Sequence, residues 1–130
     1  PYDRAIHDAL HGHGFKVVYH TCGGTFGLEE LLVQNGTDAS ETLAPLSIGG
    51  NQDPWEFKRK IAGRLALIGG VDQSGTLTFG SPDDVRRAVR KLFEKVGDAG
   101  GYICSASDHF FETPVENLTA MAEADRECAY

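Results

Sequence analysis

The residues best suited to chemistry are a histidine and a cysteine one residue apart, in His20-Thr21-Cys22-Gly23. In extended backbone, residues i and i+2 face the same side, so an imidazole and a thiol would enter one pocket. Imidazole nitrogen and thiolate sulfur are ligand types that zinc selects. A third ligand has to come from elsewhere, and Asp108 and His109 both carry suitable atoms. Three protein ligands with an open fourth position would make a catalytic site, able to deprotonate a bound thiol or water. Asp72, in Gly69-Gly70-Val71-Asp72, is either an acid of the same pocket or the cap of a loop. Plainer readings stand beside these. Cys22 can be a small buried residue, and His20 a hydrogen-bonded core histidine. Cys104 sits inside an apolar run and reads as core, while Cys128, near the chain end, reads as incidental. His7, His11 and His13 fall on or just after a helix, where a solvated face accounts for them. Phe110-Phe111 either line a pocket or pack under the last helix.

Placing those side chains requires strands that end together, and the chain has the rhythm for it. Tyr2 to His11 predicts a first helix with Ala5, Ile6, Ala9 and Leu10 on one face, ended by Gly12 and Gly14. Phe15 to Tyr19 reads as a buried strand, followed by a helix bearing Phe26, Leu28, Leu31, Leu32 and Val33. Asp38 to Leu43 is a weaker strand. Asp53-Pro54-Trp55-Glu56 predicts a helix start with a capping box, and Gly63 its end. Leu65 to Ile68 is a third strand, and Ser81-Pro82-Asp83-Asp84 caps the next helix. That helix has the clearest apolar stripe, from Val85 through Val89 and Leu92 to Val96. Tyr102 to Ser105 is a fourth strand, and Thr113-Pro114-Val115-Glu116 opens a last helix with Leu118, Met121 and Ala122 inward.

Strands alternating with helices imply parallel pairing and an α/β fold. No Gly-rich phosphate fingerprint follows a strand, so a dinucleotide fold lacks support. A leading helix and about four βα units make half of a (β/α)8 barrel, whose usual length is about 250 residues. The polar residues lie at the C-terminal strand ends, where barrels place their sites. A half barrel leaves open edges, so an absent N-terminal half or a second copy is expected to complete it. Pro1 in place of Met suggests either a processed chain or a piece of a longer one.

Composition narrows the partners. Twelve Lys+Arg against 19 Asp+Glu give a net charge of −7, which argues against nucleic acid and anionic membranes. No apolar run approaches the roughly 20 residues of a membrane helix, and Pro1-Tyr2-Asp3-Arg4 lacks the basic and apolar regions expected of a signal peptide. Three widely spaced cysteines suit a reducing cytoplasm better than a disulfide framework. A small-molecule substrate is the expected partner.

Several pieces, in order, resemble the C-terminal half of the uroporphyrinogen decarboxylase superfamily. They are His20-Thr21-Cys22-Gly23, Gly36-Thr37-Asp38-Ala39, Gly69-Gly70-Val71-Asp72, Gly80-Ser81-Pro82-Asp83-Asp84-Val85, Gly100-Gly101-Tyr102-Ile103 and Thr113-Pro114-Val115-Glu116-Asn117-Leu118. The superfamily joins the decarboxylase of porphyrin biosynthesis to methylcobamide:coenzyme M methyltransferases. The resemblance implies a (β/α)8 barrel, with residues 1–130 as a single segment supplying its last four βα units. The His-x-Cys-Gly motif is similar to the methyltransferase branch. There, His and Cys bind a zinc that activates a thiol, and a corrinoid, carried by a partner protein, donates the methyl group. The branch has a further Cys ligand where this chain has Asp108, with the register drifting toward Ser107 when counted from Thr113-Pro114. His109 matches the His of many relatives. Replacing a thiolate with Asp or His makes the site less electron-rich. Zinc-dependent methyl transfer is the leading expectation. Metal-free decarboxylation of uroporphyrinogen or another carboxylated substrate is the alternative, and a non-catalytic half barrel that binds a ligand or partner is a third.

Overall fold

The computed structural model describes residues 1–61 and 63–128. Four strands, β1 (Val18–His20), β2 (Ala39–Thr42), β3 (Ala66–Val71) and β4 (Tyr102–Ala106), form one sheet in the order β1-β2-β3-β4. Every pairing is parallel. Sequential order without reversal is the course of a barrel wall, whereas a doubly wound sheet reverses at its switch point. The architecture is half of a (β/α)8 barrel, preceded by helix α1 (Tyr2–Gly12). The connections hold α2 (Glu29–Gln34), α3 (Pro54–Ile61) and α4 (Pro82–Leu92), and α5 (Val115–Glu127) closes the chain.

Residues paired across parallel strands share a sheet face. One face carries Tyr19, Ser40, Leu67 and Tyr102 in a row, with Val71 and Ala106 further along. The helices cover it. Leu32, Phe57, Ile61, Leu67, Val96 and Tyr102 form one buried cluster; Val71, Leu77, Val85, Val89, Ala106, Ala120 and Ala124 form the other. The opposite face carries Val18, Ala39 and Ala66, then His20, Glu41, Ile68 and Ile103. Its edge residues Val18 and Ile103 are 50% and 55% exposed. Gly69 explains how β2 and β3 approach so closely: its φ is +117°, and a Cβ there would lie 1.9 Å from the Thr42 carbonyl oxygen.

Local signals place most element starts. Ser81 and Asp84 form the capping box of α4, the Ser81 side chain accepting from Asp84 N and the Asp84 carboxylate from Ser81 N. Asp53 accepts from Trp55 N at the start of α3, but the Glu56 carboxylate pairs with Arg59 instead of closing a box. Pro114, not Thr113, is the N-cap of α5; the Thr113 hydroxyl meets that of Thr78. Two turns escape the sequence pattern. A 3₁₀ turn, Leu46–Ile48, follows β2, and a π-helical turn, Gln73–Thr78, follows β3.

Three expected packing faces are different in the structure. Ile6 and Leu10 of α1 are exposed, and the helix buries His7, whose Nδ1 lies 2.8 Å from the Asn35 carbonyl oxygen and whose ring meets Tyr19 edge-on. The solvated-face reading of His7 is therefore wrong: a tertiary hydrogen bond anchors it. Phe15 is exposed because β1 is a short edge strand that starts only at Val18. α5 turns Asn117, Ala120 and Ala124 inward and packs the expected Met121 against the same cluster, but leaves Ala122 exposed. Small side chains there admit close packing on α4, while Asn117 Nδ2 donates to the carbonyls of Leu77 and Gly80.

Candidate metal centre

The open sheet face carries the site. His20, last residue of β1, is paired in register with Glu41 of β2, so both side chains point away from the helices. Glu41 Oε2 lies 3.1 Å from His20 Nδ1. A carboxylate can only accept, so Nδ1 donates and Nε2 keeps its lone pair. That nitrogen lies 3.2 Å from Cys22 Sγ. The i, i+2 relation holds although β1 has ended, because Thr21 N donates to the Glu41 carbonyl and Thr42 Oγ1 donates to the Thr21 carbonyl.

The third member comes from beyond β4. Asp108 Oδ2 lies 3.6 Å from Cys22 Sγ. Ligand atoms of His20, Cys22 and Asp108 all lie within 4.8 Å of one another. His109 is not in this group. Its backbone N–H and its Nδ1 both lie 2.7 Å from Asp108 Oδ1, and its exposed ring stacks on Phe111. The two carboxylate oxygens are thus divided: Oδ1 is held by His109 and Oδ2 faces the thiol. Ser107 is turned into the core, where Oγ accepts from Gly70 N and donates to the Leu43 carbonyl. The neighbouring recess, about 230 Å³, is lined by His20, Glu41, Ser105, Ala106, Asp108, His109 and Phe110, with no lysine or arginine.

Charge in the cluster is unbalanced. Partial desolvation and the Asp108 carboxylate push the Cys22 thiol above its ordinary pKa. Hydrogen bonds from His109, backbone first, hold the Asp108 carboxyl below the usual carboxylate range. A divalent cation among these groups would invert the thiol's preference, since a coordinating thiol deprotonates. Neutral imidazole, thiolate and carboxylate together offset a 2+ charge. The donor set therefore fits zinc, with three protein ligands and room for a fourth.

Asp72 stands apart. Its Oδ1 accepts from Ser74 N and Gly75 N, each at 2.8 Å, and its Oδ2 from the Ser47 hydroxyl at 2.7 Å. The carboxylate caps the π-helical turn. Cys104 is half-buried beneath the helices, and burial pushes its thiol up to about 11. Phe111 is exposed, while Phe110 lines the recess. Sequence reasoning missed Glu41. The signal for it was an acid inside a short strand, with its partner set by a register that only the structure supplies.

The model of the family described as uroporphyrinogen decarboxylase (URO-D) matches residues 1–128. The chain belongs to the uroporphyrinogen decarboxylase family. Within that family it lies toward the methyltransferases. It is 26% identical over 111 residues to a methylated-thiol–coenzyme M methyltransferase of Methanosarcina mazei, an alignment covering 85% of this chain and 27% of that protein. Its fold matches a solved methyltransferase from Methanosarcina mazei with a TM-score of 0.77 at 20% identity, over 96% of this chain and 34% of the other. This family member thus spans about a third or less of the relatives it matches. No helix among the described residues is long and apolar enough to cross a membrane.

Proposed function

We propose that residues 1–130 contribute the zinc-binding wall of a methyltransferase barrel that moves a methyl group from a corrinoid to a thiol. The observation that carries this reading is the convergence of His20, Cys22 and Asp108 ligand atoms from the C-terminal ends of two strands, β1 and β4. The name of the Methanosarcina mazei relative, a methylated-thiol–coenzyme M methyltransferase, supports the substrate class. His20 Nε2, Cys22 Sγ and Asp108 Oδ2 would hold the metal. Bound there, zinc supplies Lewis acidity, which lowers the pKa of a thiol in the open position.

The chain's own groups prepare that position. Glu41 fixes the tautomer and ring orientation of His20 through Nδ1. His109 fixes Asp108 through Oδ1 and leaves Oδ2 directed at Cys22. A carboxylate where the branch has a third thiolate makes the donor set harder and less electron-rich. Asp72 holds the loop above β3 through its bonds to Ser74 N and Gly75 N. Four further βα units, from the same parent chain or a second copy, would cover the open face, because among the described residues β1 and β4 each have an unpaired edge. A corrinoid protein would deliver the methyl donor to the C-terminal strand ends.

Elemental mass spectrometry on the purified protein, beside Cys22→Ser, tests the reading. Zinc near one per chain in the wild type, lost in the variant, is the expected result. Absence of metal from both moves the assignment to metal-free decarboxylation. The absence of lysine and arginine from the recess counts against that, since a bound carboxylated substrate needs cations.

A further inference from the structure

Cys22 lies outside β1 and is exposed, so neither strand pairing nor core packing holds its side chain in place. Its upstream neighbour Thr21 is fixed by bonds to β2. Downstream, Cys22 enters Gly23-Gly24-Thr25-Phe26, a segment with no regular structure of its own. This segment is gripped by the loop after β2. Asn51 Oδ1 accepts from Phe26 N at 2.9 Å, and Gln52 Nε2 donates to Thr25 Oγ1 at 2.7 Å. The Asn51 carboxamide lies so close over Gly24 that a Cβ built there would fall 2.3 Å from its Cγ and 2.4 Å from its Nδ2. A side chain at 24 would therefore have to push the Asn51 carboxamide aside.

We infer that Asn51 is a positioning residue for the metal centre, latching the Cys22 loop through Phe26 N–H and the bare face of Gly24. This inference rests on the zinc reading above. A ligand in a loop between two anchors loses its preset position when one anchor goes, and the ordering entropy must then be supplied on binding. Residues that orient ligands without touching the metal typically affect affinity by about 10–100-fold. Asn51 is not among the converging ligand residues, His20, Cys22 and Asp108.

Cobalt(II) titration of the full chain separates the possibilities, because a thiolate ligand gives a near-ultraviolet charge-transfer band that a carboxylate or imidazole does not. Asn51→Ala should weaken cobalt and zinc binding by about 10–100-fold and diminish the thiolate band, with an unchanged thermal midpoint for the metal-free protein. Asn51→Asp keeps an oxygen acceptor for Phe26 N–H and should restore both. Gly24→Ala should weaken binding in the wild-type background but add little to Asn51→Ala, since the group it collides with is gone. Wild-type affinity and band in Asn51→Ala overturn the latch while leaving the zinc reading intact. A loss that Asn51→Asp does not rescue also overturns it. No metal binding by the wild-type chain removes both, and is recognised by the missing band before any variant is made.

Discussion

On the helix-covered side of the sheet, the row Tyr19, Ser40, Leu67 and Tyr102 is packed under α2, α3 and α4. One residue further along each strand, the row His20, Glu41, Ile68 and Ile103 has no helix above it among the described residues. The same backbone thus presents two chemistries on opposite sides, because successive strand residues alternate in direction. The covered row is held by burial of apolar surface. The open row combines the aliphatic Ile68 and Ile103 with an imidazole and a carboxylate in direct contact, and with a thiol two residues on. The comparison teaches that stability and site chemistry are separable here to the level of adjacent residues, and substitutions on the two faces should fail in different ways.

The largest effect is expected from Cys22→Ser. Loss of the thiolate should lower zinc affinity by orders of magnitude, read by competition with a chelator, while thermal stability of the metal-free protein stays put. A variant that loses stability and keeps its metal would erase the distinction between the faces. On the covered side, Leu67→Ala should cost about 2–5 kcal/mol in denaturant unfolding, since Leu67 is fully buried, with no change in metal per folded chain. Glu41→Gln keeps the shape but weakens the hold on His20; zinc affinity should fall about 10–100-fold. The same measurement on Asp72→Asn should show no loss, because that carboxylate lies outside the cluster.

The smallest effect belongs to the strand ends opposite the site. Asp38 accepts from Lys16 Nζ, Val17 N and His11 Nε2 at 2.8–2.9 Å, tying α1 and β1 to β2. Lys16, then the Val17 amide and His11, hold its carboxyl far below the usual carboxylate range. A depressed folded-state pKa means that the contribution is complete above the ordinary Asp value and is lost as pH falls below it. Asp38→Asn should therefore cost about 1–2 kcal/mol at neutral pH and flatten the acid limb of the stability profile, leaving metal affinity unchanged.

Much of this was legible in the chain because glycine and proline punctuate it. Ser81-Pro82 and Asp53-Pro54 mark helix starts by mechanisms that act locally, whereas Gly69-Gly70, expected to end the third strand, lie inside β3, which runs on to Val71. The His20–Cys22 pair followed from the two-residue period alone. Other features depend on register and packing. Asp108 and His109 are adjacent in a loop, and only the fold shows that one faces Cys22 while the other supports it. Glu41 meets His20 because β1 and β2 pair at one register, which neither strand's composition reveals. The inward face of α1, and that of α5 apart from Met121, differ from expectation because hydrophobicity alone cannot say which neighbour a helix has. α1 buries a histidine and α5 an asparagine, each through a hydrogen bond to a distant carbonyl.

The unbroken order β1-β2-β3-β4 also bears on how the chain reaches this state. Each strand joins one that has just been made, so every closure spans a single βα unit and none must wait for a remote segment. Loop entropy is thereby divided into modest instalments, the condition under which folding rates are least retarded by topology. Growth can proceed outward from the β2–β3 pair in both directions without rethreading. Addition of another βα unit at either edge follows the same rule, so the sheet can be lengthened by duplication as readily as it is folded.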